Sequence, residues 1–435
     1  MTHEENELIT RTGAGAPMGD VMRRYWIPAA LSSELPEPDC PPIRVKLLGE
    51  RLVAFRDTRG RVGVVDEFCA HRRASLFLGR NEESGLRCVY HGWKFDVEGR
   101  CLDMPNERAE TSFKDKIKLK AYPSVELGNV VWAYMGPKEK LPALPKFEWT
   151  QVPDEQRFVS KTWQECNWLQ ALEGGFDDVH ASFLHGVVSP DTTRPGTRRF
   201  WLESRTPKVD VELTDYGYLC GAAHDLKNGQ DMIWTAHFVM PFHQIRASFN
   251  AGQAQESLVE GHMWVPMDDE NCMVYNWMYA FGDGTLAREK MAALEQVRGR
   301  GENEQTADFR KVRNKDNDWL IDRRVQKHET FTGIEGINTQ DHAITESMGP
   351  IVDRTQEHLG STDRAVVIGR HLLVQAVKKV AQDGDPPGLQ PSYYHIRAMG
   401  KMLPSGARWL EKMKHQLYPC EPRNEDSEPA AGGSD

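Results

Sequence analysis

Between Pro42 and Gly136 apolar and polar positions alternate in short runs such as RLVAF, RVGVV and NVVWAYM, which glycines and charges cut off after a few residues. Such runs of β-forming residues predict strands and turns, hence a small all-β domain. With its approach segment it is taken as 27–136, preceded over 1–26 by a helical segment expected to pack on the second domain. From Gly136 to Pro153 the text GPKEKLPALPKFEWTQVP carries four prolines and no sustained apolar period, so 137–153 reads as a linker.

Beyond the linker the pattern changes. QECNWLQALEGGFDDVHASFLHG has a helical period, with Gly174–Gly175 expected to break or distort it. Runs such as VDVELTDYGYLCGAAH, DMIWTAHFVM, HQIRASF, EGHMWVPM and NCMVYNWMYAF then alternate as strands of an antiparallel sheet with one buried face. Residues 286–330 are highly charged with helical periodicity, interrupted near GRGEN at 299–303, and a further helix is expected to begin near Asp363. The second domain, 154–418, is therefore α+β. The ending EPRNEDSEPAAGGSD predicts a disordered tail over 419–435, and no internal repeat is visible.

Composition narrows the function. A charged fraction of 27%, a hydrophobic fraction of 39% and a net charge of −10 describe a globular chain with no polyanion-binding signature. No apolar stretch approaches the roughly 20 residues of a membrane span, and the opening residues lack a basic and apolar leader. A cytoplasmic location is expected. The eight cysteines are scattered through 435 residues, which argues against a disulfide framework, and only Cys69 and Cys88 stand beside histidines.

Those two belong to the strongest pattern in the chain, FCAHRRASLFLGRNEESGLRCVYHGWKF, in which Cys69-x-His71 is followed after sixteen residues by Cys88-x-x-His91. Ligand identity alone leaves mononuclear zinc open, since zinc also accepts two cysteines and two histidines. The pair spacing, the long loop and the following Gly92-Trp93 resemble the Rieske [2Fe–2S] motif, in which two thiolates hold one iron and two imidazoles the other. Arg72, Arg73, Tyr90 and Trp93 are expected to support the cluster or simply to pack.

A second constellation lies in EGGFDDVHASFLHG, where Asp177-x-x-His180-x4-His185 resembles the iron-binding helix of Rieske oxygenases. Two histidines and a distant carboxylate form the facial triad that leaves positions on Fe(II) for O2 and substrate. Residues five apart on a regular helix point about 140° apart, so the helix must be distorted at this site, by a π-bulge or a local break. Asp177, three residues before His180, shares its face; Asp178 is the rival. The resemblance makes this aspartate the link from the iron histidine to a Rieske histidine of a neighbouring subunit. It also points to Asp363 as the third ligand, rather than Asp353 or Glu357, although Asp363 at a helix start is equally what capping favours. Asn167, Trp168 and Glu173 match the helix ahead of the ligands, where packing or capping explains them as well. The other eleven histidines, His224, His237, His243, His262 and His342 among them, are read as structural or exposed.

The resemblance runs from RRYWIPAA to HLGSTDRAVVIGR, and ETFTGIEGINTQDHAITESMGPIVDRTQEHLG is similar to the phthalate 4,5-dioxygenase branch of these α subunits. It implies an all-β Rieske domain, a catalytic antiparallel sheet covered by helices in a helix-grip arrangement, and a homotrimer or stacked trimers. It also implies a reductase carrying FMN and a [2Fe–2S] centre, with NADH as donor. The implied reaction is cis-dihydroxylation of an aromatic carboxylate by O2. An aromatic acid needs a cationic clamp, for which Arg205 and Arg246 are the candidates, with Ser182 as a hydroxyl donor. Two rival readings are a Rieske monooxygenase or O-demethylase with the same ligands, and a Rieske electron carrier without the second iron.

Overall fold

A computed structural model describes residues 1–108, 110, 113–188, 204–250 and 253–419. Helix α1 (His3–Thr10) starts on a capping box, Thr2 accepting from Glu5 N while the Glu5 carboxylate returns to Thr2 N, and α2 (Pro17–Met22) follows. Both helices pack on catalytic elements: the Asn6 side chain donates to Val352 O and accepts from Arg354.

The N-terminal domain is three small antiparallel sheets. One joins β1 (Trp26–Leu31), β10 (Ser124–Leu127) and β11 (Val130–Tyr134); a second joins β2 (Ile43–Leu47), β3 (Glu50–Arg56), β4 (Val62–Asp66) and β9 (Ala121–Tyr122). The third, β5 (Arg80–Glu82), β6 (Gly85–Arg87), β7 (Lys94–Phe95) and β8 (Cys101–Asp103), has an apolar cluster of its own with β3 and β4, in which Leu76, Leu86, Trp93 and Phe95 surround Cys69 and Cys88. The cluster-binding end is thus a separate small core.

The segment expected as a linker is packed against both domains. Its short helix α3 (Glu148–Gln151) buries Trp149, which stacks on Trp277 with centroids 5.2 Å apart and lies 6.3 Å from Trp132 of β11. Prolines set its path, but aromatic burial holds it.

The catalytic domain is an eight-stranded antiparallel sheet in the order β12 (Arg157–Gln164), β18 (Cys272–Ala280), β17 (Gln253–Pro266), β16 (His243–Asn250), β15 (Gln230–Val239), β14 (Gly217–Asp225) and β13 (Lys208–Leu213), with β19 (Gly400–Pro404) paired to β15. Helices α4 (Trp168–Phe176), α5 (Ala181–Leu184), α6 (Arg288–Val297), α7 (Arg323–His328), α8 (Ile337–Ser347), α9 (Arg364–Val380) and α10 (Trp409–Leu417) complete it. Helix α9 buries Ala365, Val366, Gly369, Leu373, Val374 and Val377, a stripe at three- and four-residue spacing. No helix among the described residues is long and apolar enough to cross a membrane.

Two expectations about helices are corrected. The helix over 164–186 is interrupted at 177–180 and not at Gly174–Gly175, which stay helical inside α4. Gly175 serves close packing instead: a Cβ there would lie 2.4 Å from the Trp264 ring. In 286–330 only α6 and α7 are α-helical, because Gly299 takes a φ of +73° and Asp318 and Trp319 also adopt positive φ. The tail beyond 419 lies outside the described residues.

Candidate metal centres and active site

Cys69 and Cys88 open two loops of matching geometry. Cys69 N donates to Ala74 O and Arg73 N returns to Cys69 O; Cys88 N donates to Trp93 O and Gly92 N returns to Cys88 O. Each loop turns back at its fifth residue with positive φ, +61° at Arg73 and +81° at Gly92. A Cβ on Gly92 would lie 2.5 Å from Pro105, so glycine is needed there. The loops present two buried thiols side by side and two imidazoles whose centroids are 4.5 Å apart.

No three of these four donors come within 4.8 Å of one another, whereas a tetrahedral zinc site draws all four around one ion. Two thiols in one pair and two imidazoles in another fit a two-iron cluster. The donors agree with this: the Cys69 and Cys88 thiols are buried together, and His71 Nδ1 is buried without a hydrogen-bond partner, an arrangement that a metal satisfies. His71 is held by stacking on Trp93 at 4.4 Å, and Trp93 by its Nε1 donating to Asn106, so Trp93 is a buried support. Tyr90 is exposed against His91, with the Arg72 guanidinium over its ring, and Arg73 pairs with Asp66. His71→Ala is expected to abolish the visible absorption of the cluster while leaving one iron in the second domain. Visible spectra with iron analysis check this, and an unchanged spectrum would show the ligand misassigned.

The second centre is built where α4 stops. Asn167 caps α4 by accepting from Leu169 N, Trp168 is fully buried, and Glu173 takes ion pairs from Arg354 and Arg370. At the other end the Asp177 carboxylate accepts from Val179 N and His180 N, ending the helix and starting the turn to α5. This break lets His180 and His185, on either side of α5, converge with ring centroids 5.3 Å apart.

Among the described residues, one group of three or more His, Cys, Asp and Glu donors has its ligand atoms within 4.8 Å of one another: His180, His185 and Asp341. Asp341 Oδ1 lies 3.5 Å from His180 Nε2 and 3.2 Å from His185 Nε2. Each remaining nitrogen is steered: His180 Nδ1 faces Asp177 at 3.6 Å, and His185 Nδ1 meets Gln340 Oε1 at 2.7 Å. Asn338 holds the other Asp341 oxygen at 3.2 Å. Burial opposes charge on His180, but Asp177 and Asp341 outweigh it and hold the imidazole up at about 10. The three donors form the one-sided N,N,O set that suits a mononuclear iron with open positions.

The carboxylate expected from Asp363 is therefore corrected to Asp341. Asp363 stands at the start of α9, where its Oδ2 accepts from Gly360 N at 2.6 Å, away from the histidine nitrogens. Asp353 caps a short turn and Glu357 pairs with Arg370. Asp341 had one sequence signal, an aspartate in mid-helix with no end to cap. Of the two adjacent aspartates, Asp177 faces His180 and Asp178 pairs with His224.

The triad opens on a cavity of about 300 Å³. Residues two apart along the strands line it, Trp234 with Ala236, Gln244 with Arg246 and His262 with Trp264, so one face of the sheet forms its wall. Arg246 is brought into the cavity, its Nη2 3.0 Å from Glu260. Arg205 is not: it is exposed, with its guanidinium over the Phe183 ring. Nor does Ser182 line the cavity, as its hydroxyl is buried and donates to Val179 O. Sequence reasoning missed Asp341, Asn338 that holds it, Gln340 that steers His185, and the cavity arginines Arg298 and Arg300. Of the remaining histidines, His237 sits between the Tyr216 hydroxyl and Arg397 O, and burial pushes it down to about 4 and His243 to about 3; both are structural.

Comparison with known proteins gives the same two-part division. Residues 25–123 match the Rieske [2Fe-2S] domain family, and residues 133–415 match the family described as LigXa C-terminal domain like. The chain is 38% identical to the 3-chlorobenzoate-3,4-dioxygenase oxygenase subunit of Comamonas testosteroni, over 93% of this chain and 96% of that protein. It is 39% identical to the phthalate 4,5-dioxygenase oxygenase subunit of Pseudomonas putida, over 87% and 86%. Dicamba monooxygenase bound to dicamba has the same fold, with a TM-score of 0.59 at 18% identity over 83% of this chain and 98% of that one.

Proposed function

The chain belongs to the oxygenase subunits of Rieske non-haem iron systems, and from that premise we propose that it cis-dihydroxylates an aromatic carboxylate with O2. Members of the family carry a [2Fe–2S] cluster and a mononuclear iron and depend on a reductase. In the proposal that reductase carries FMN and a [2Fe–2S] centre and takes electrons from NADH, and the oxygenase is a homotrimer or a stacked pair of trimers.

The observation that carries the reading is the N,N,O set of His180, His185 and Asp341 opening on a cavity that also contains arginine. The iron, when bound, supplies O2 activation, and the cluster supplies electrons one at a time. The chain's own residues do the rest. Cys69, Cys88, His71 and His91 hold the cluster. Asp177 faces the Nδ1 side of His180 at 3.6 Å, and the Nε2 side faces Asp341 and the cavity. Asn338 and Gln340 fix the two other ligands, and the sheet wall screens the reaction from water. The Asp177 side chain is 33% exposed, as a group receiving an electron from a docked neighbour must be.

The same ligands serve mono-oxygenation, so the product decides. With NADH, a phthalate-type reductase and a panel of phthalates, chlorobenzoates, phenoxybenzoates and methoxybenzoates, oxygen uptake is expected for one class of acid. Its product gains two oxygens and two hydrogens by mass spectrometry. Formaldehyde with a phenolic acid would instead make the protein an O-demethylase.

A further inference from the structure

Helix α4 buries a polar side chain in the middle of an apolar run. Trp168, Leu169, Ala171 and Leu172 are buried, and Gln170 among them is only 2% exposed. A buried glutamine is costly unless its two amide donors and its carbonyl acceptor are paired. All three positions are paired, and all on one target. Nε2 donates to Thr345 O at 2.9 Å and to Gly349 O at 2.8 Å, and Oε1 accepts from Val352 N at 2.8 Å. Three residues to either side, Asn167 N donates to Pro350 O and the Glu173 carboxylate pairs with Arg354. Positions 167, 170 and 173 thus fasten α4 to residues 345–354.

That stretch is the end of the helix that carries Asp341. Helix α8 stops at Ser347, and the chain turns away at Gly349 with a φ of +92°. The last carbonyls of a helix have no partner within it, and Thr345 O receives one from Gln170, so the segment leading to the histidines caps the helix of the carboxylate. Thr345 lies one turn beyond Asp341 on the same face; its hydroxyl donates to Asp341 O and accepts from Gln164 Nε2. What is fixed at Thr345 is therefore fixed at Asp341. The tolerance is narrow, since a slip of one residue along α8 moves the carboxylate by about 1.5 Å, and its oxygen stands 3.5 Å and 3.2 Å from the two histidine nitrogens.

We propose that Gln170 is the positioning residue of the mononuclear metal site. It sets the register between α4, which leads into His180 and His185, and α8, which brings Asp341, and so assembles the N,N,O set from segments far apart in the chain. It acts through backbone groups of α8 and not as a ligand. The proposal rests on the ligand set given above.

The test is the Fe(II) affinity of the full chain with its cluster intact, measured by competition with a ferrous chelator, with thermal unfolding alongside. Gln170→Met keeps the length of the side chain and drops its three hydrogen bonds. It is expected to weaken the third iron about 10- to 100-fold, the usual effect of losing a group that orients a ligand, while the Rieske spectrum stays unchanged. Thr345→Val removes the bonds to Asp341 O and Gln164 in the same shape. Its expected loss is about 3- to 10-fold, the size of one neutral hydrogen bond, and it decides the matter if Gln170→Met does not fold. Thr235→Val is the stability control: it deletes a buried hydroxyl bonded to Met399, on the sheet face opposite the cavity, and should lower the melting temperature with iron affinity unchanged. Iron affinity that simply follows the melting temperature across the three variants would overturn the proposal, as would normal affinity in both Gln170→Met and Thr345→Val. Normal iron with weaker binding of an aromatic acid would make Gln170 a substrate contact instead. Retention of the third iron by Asp341→Ala would remove the ligand set itself, whereas its loss there beside normal affinity in the other variants would remove the positioning role alone.

Discussion

Asp341→Ala is expected to leave about two irons per chain instead of about three, all of them in the cluster, and to abolish oxygenation. The reason is local. One carboxylate oxygen lies within 3.5 Å of both imidazole nitrogens, and its removal leaves two histidines with no anionic partner for a cation. Helix α8 should survive, because alanine is the better helix former and position 341 is mid-helix. Asp363→Ala is the companion experiment: its carboxylate closes the turn into α9, so this variant should keep the third iron and lose some stability, on the order of 1 kcal/mol for a lost cap. Iron analysis with visible spectra reads both. Loss of the third iron from Asp363→Ala, with retention in Asp341→Ala, would reverse the ligand assignment.

Asp177→Asn is expected to retain both metal centres and to slow single-turnover electron delivery about 10- to 100-fold, the usual effect of removing a group that orients a ligand. Asparagine keeps the oxygen that accepts from Val179 N, so the end of α4 and the approach of His180 to His185 are preserved. What changes is the charge facing His180 Nδ1 at 3.6 Å. Rapid-mixing kinetics of the reduced protein with substrate and O2 check this. An unchanged rate of cluster oxidation would remove Asp177 from the electron route.

What the sequence revealed depended on how far apart the partners lie. The cluster ligands were legible because each Cys–His pair sits in one short loop whose geometry is set by its own backbone hydrogen bonds. His180 and His185 were legible for the same reason, and the 140° argument correctly required a distortion, though not its position. The glycine pair was misleading, since a glycine that admits the Trp264 ring looks in sequence like a glycine that breaks a helix. Asp341 was hidden because only the tertiary fold brings α8 to α5, while Asp363 advertised itself by standing where helix caps favour aspartate. The charged stretch 286–330 concealed buried charges: Arg300 pairs with Glu295, Arg298 with Glu260, and Lys311 donates to Gly299 O and Thr339 Oγ1. Nothing in their spacing distinguishes a buried ion-pair network from a solvated one.

The most direct test of the account is a single turnover by the oxygenase alone: the protein chemically reduced, loaded with its aromatic acid, freed of reductase and NADH, and exposed to isotopically labelled O2. The prediction is oxidation of the cluster together with product carrying both labelled oxygen atoms, because donor and oxygen site reside in this one polypeptide. Oxidation of the cluster with no labelled product would make the chain an electron carrier and contradict the account.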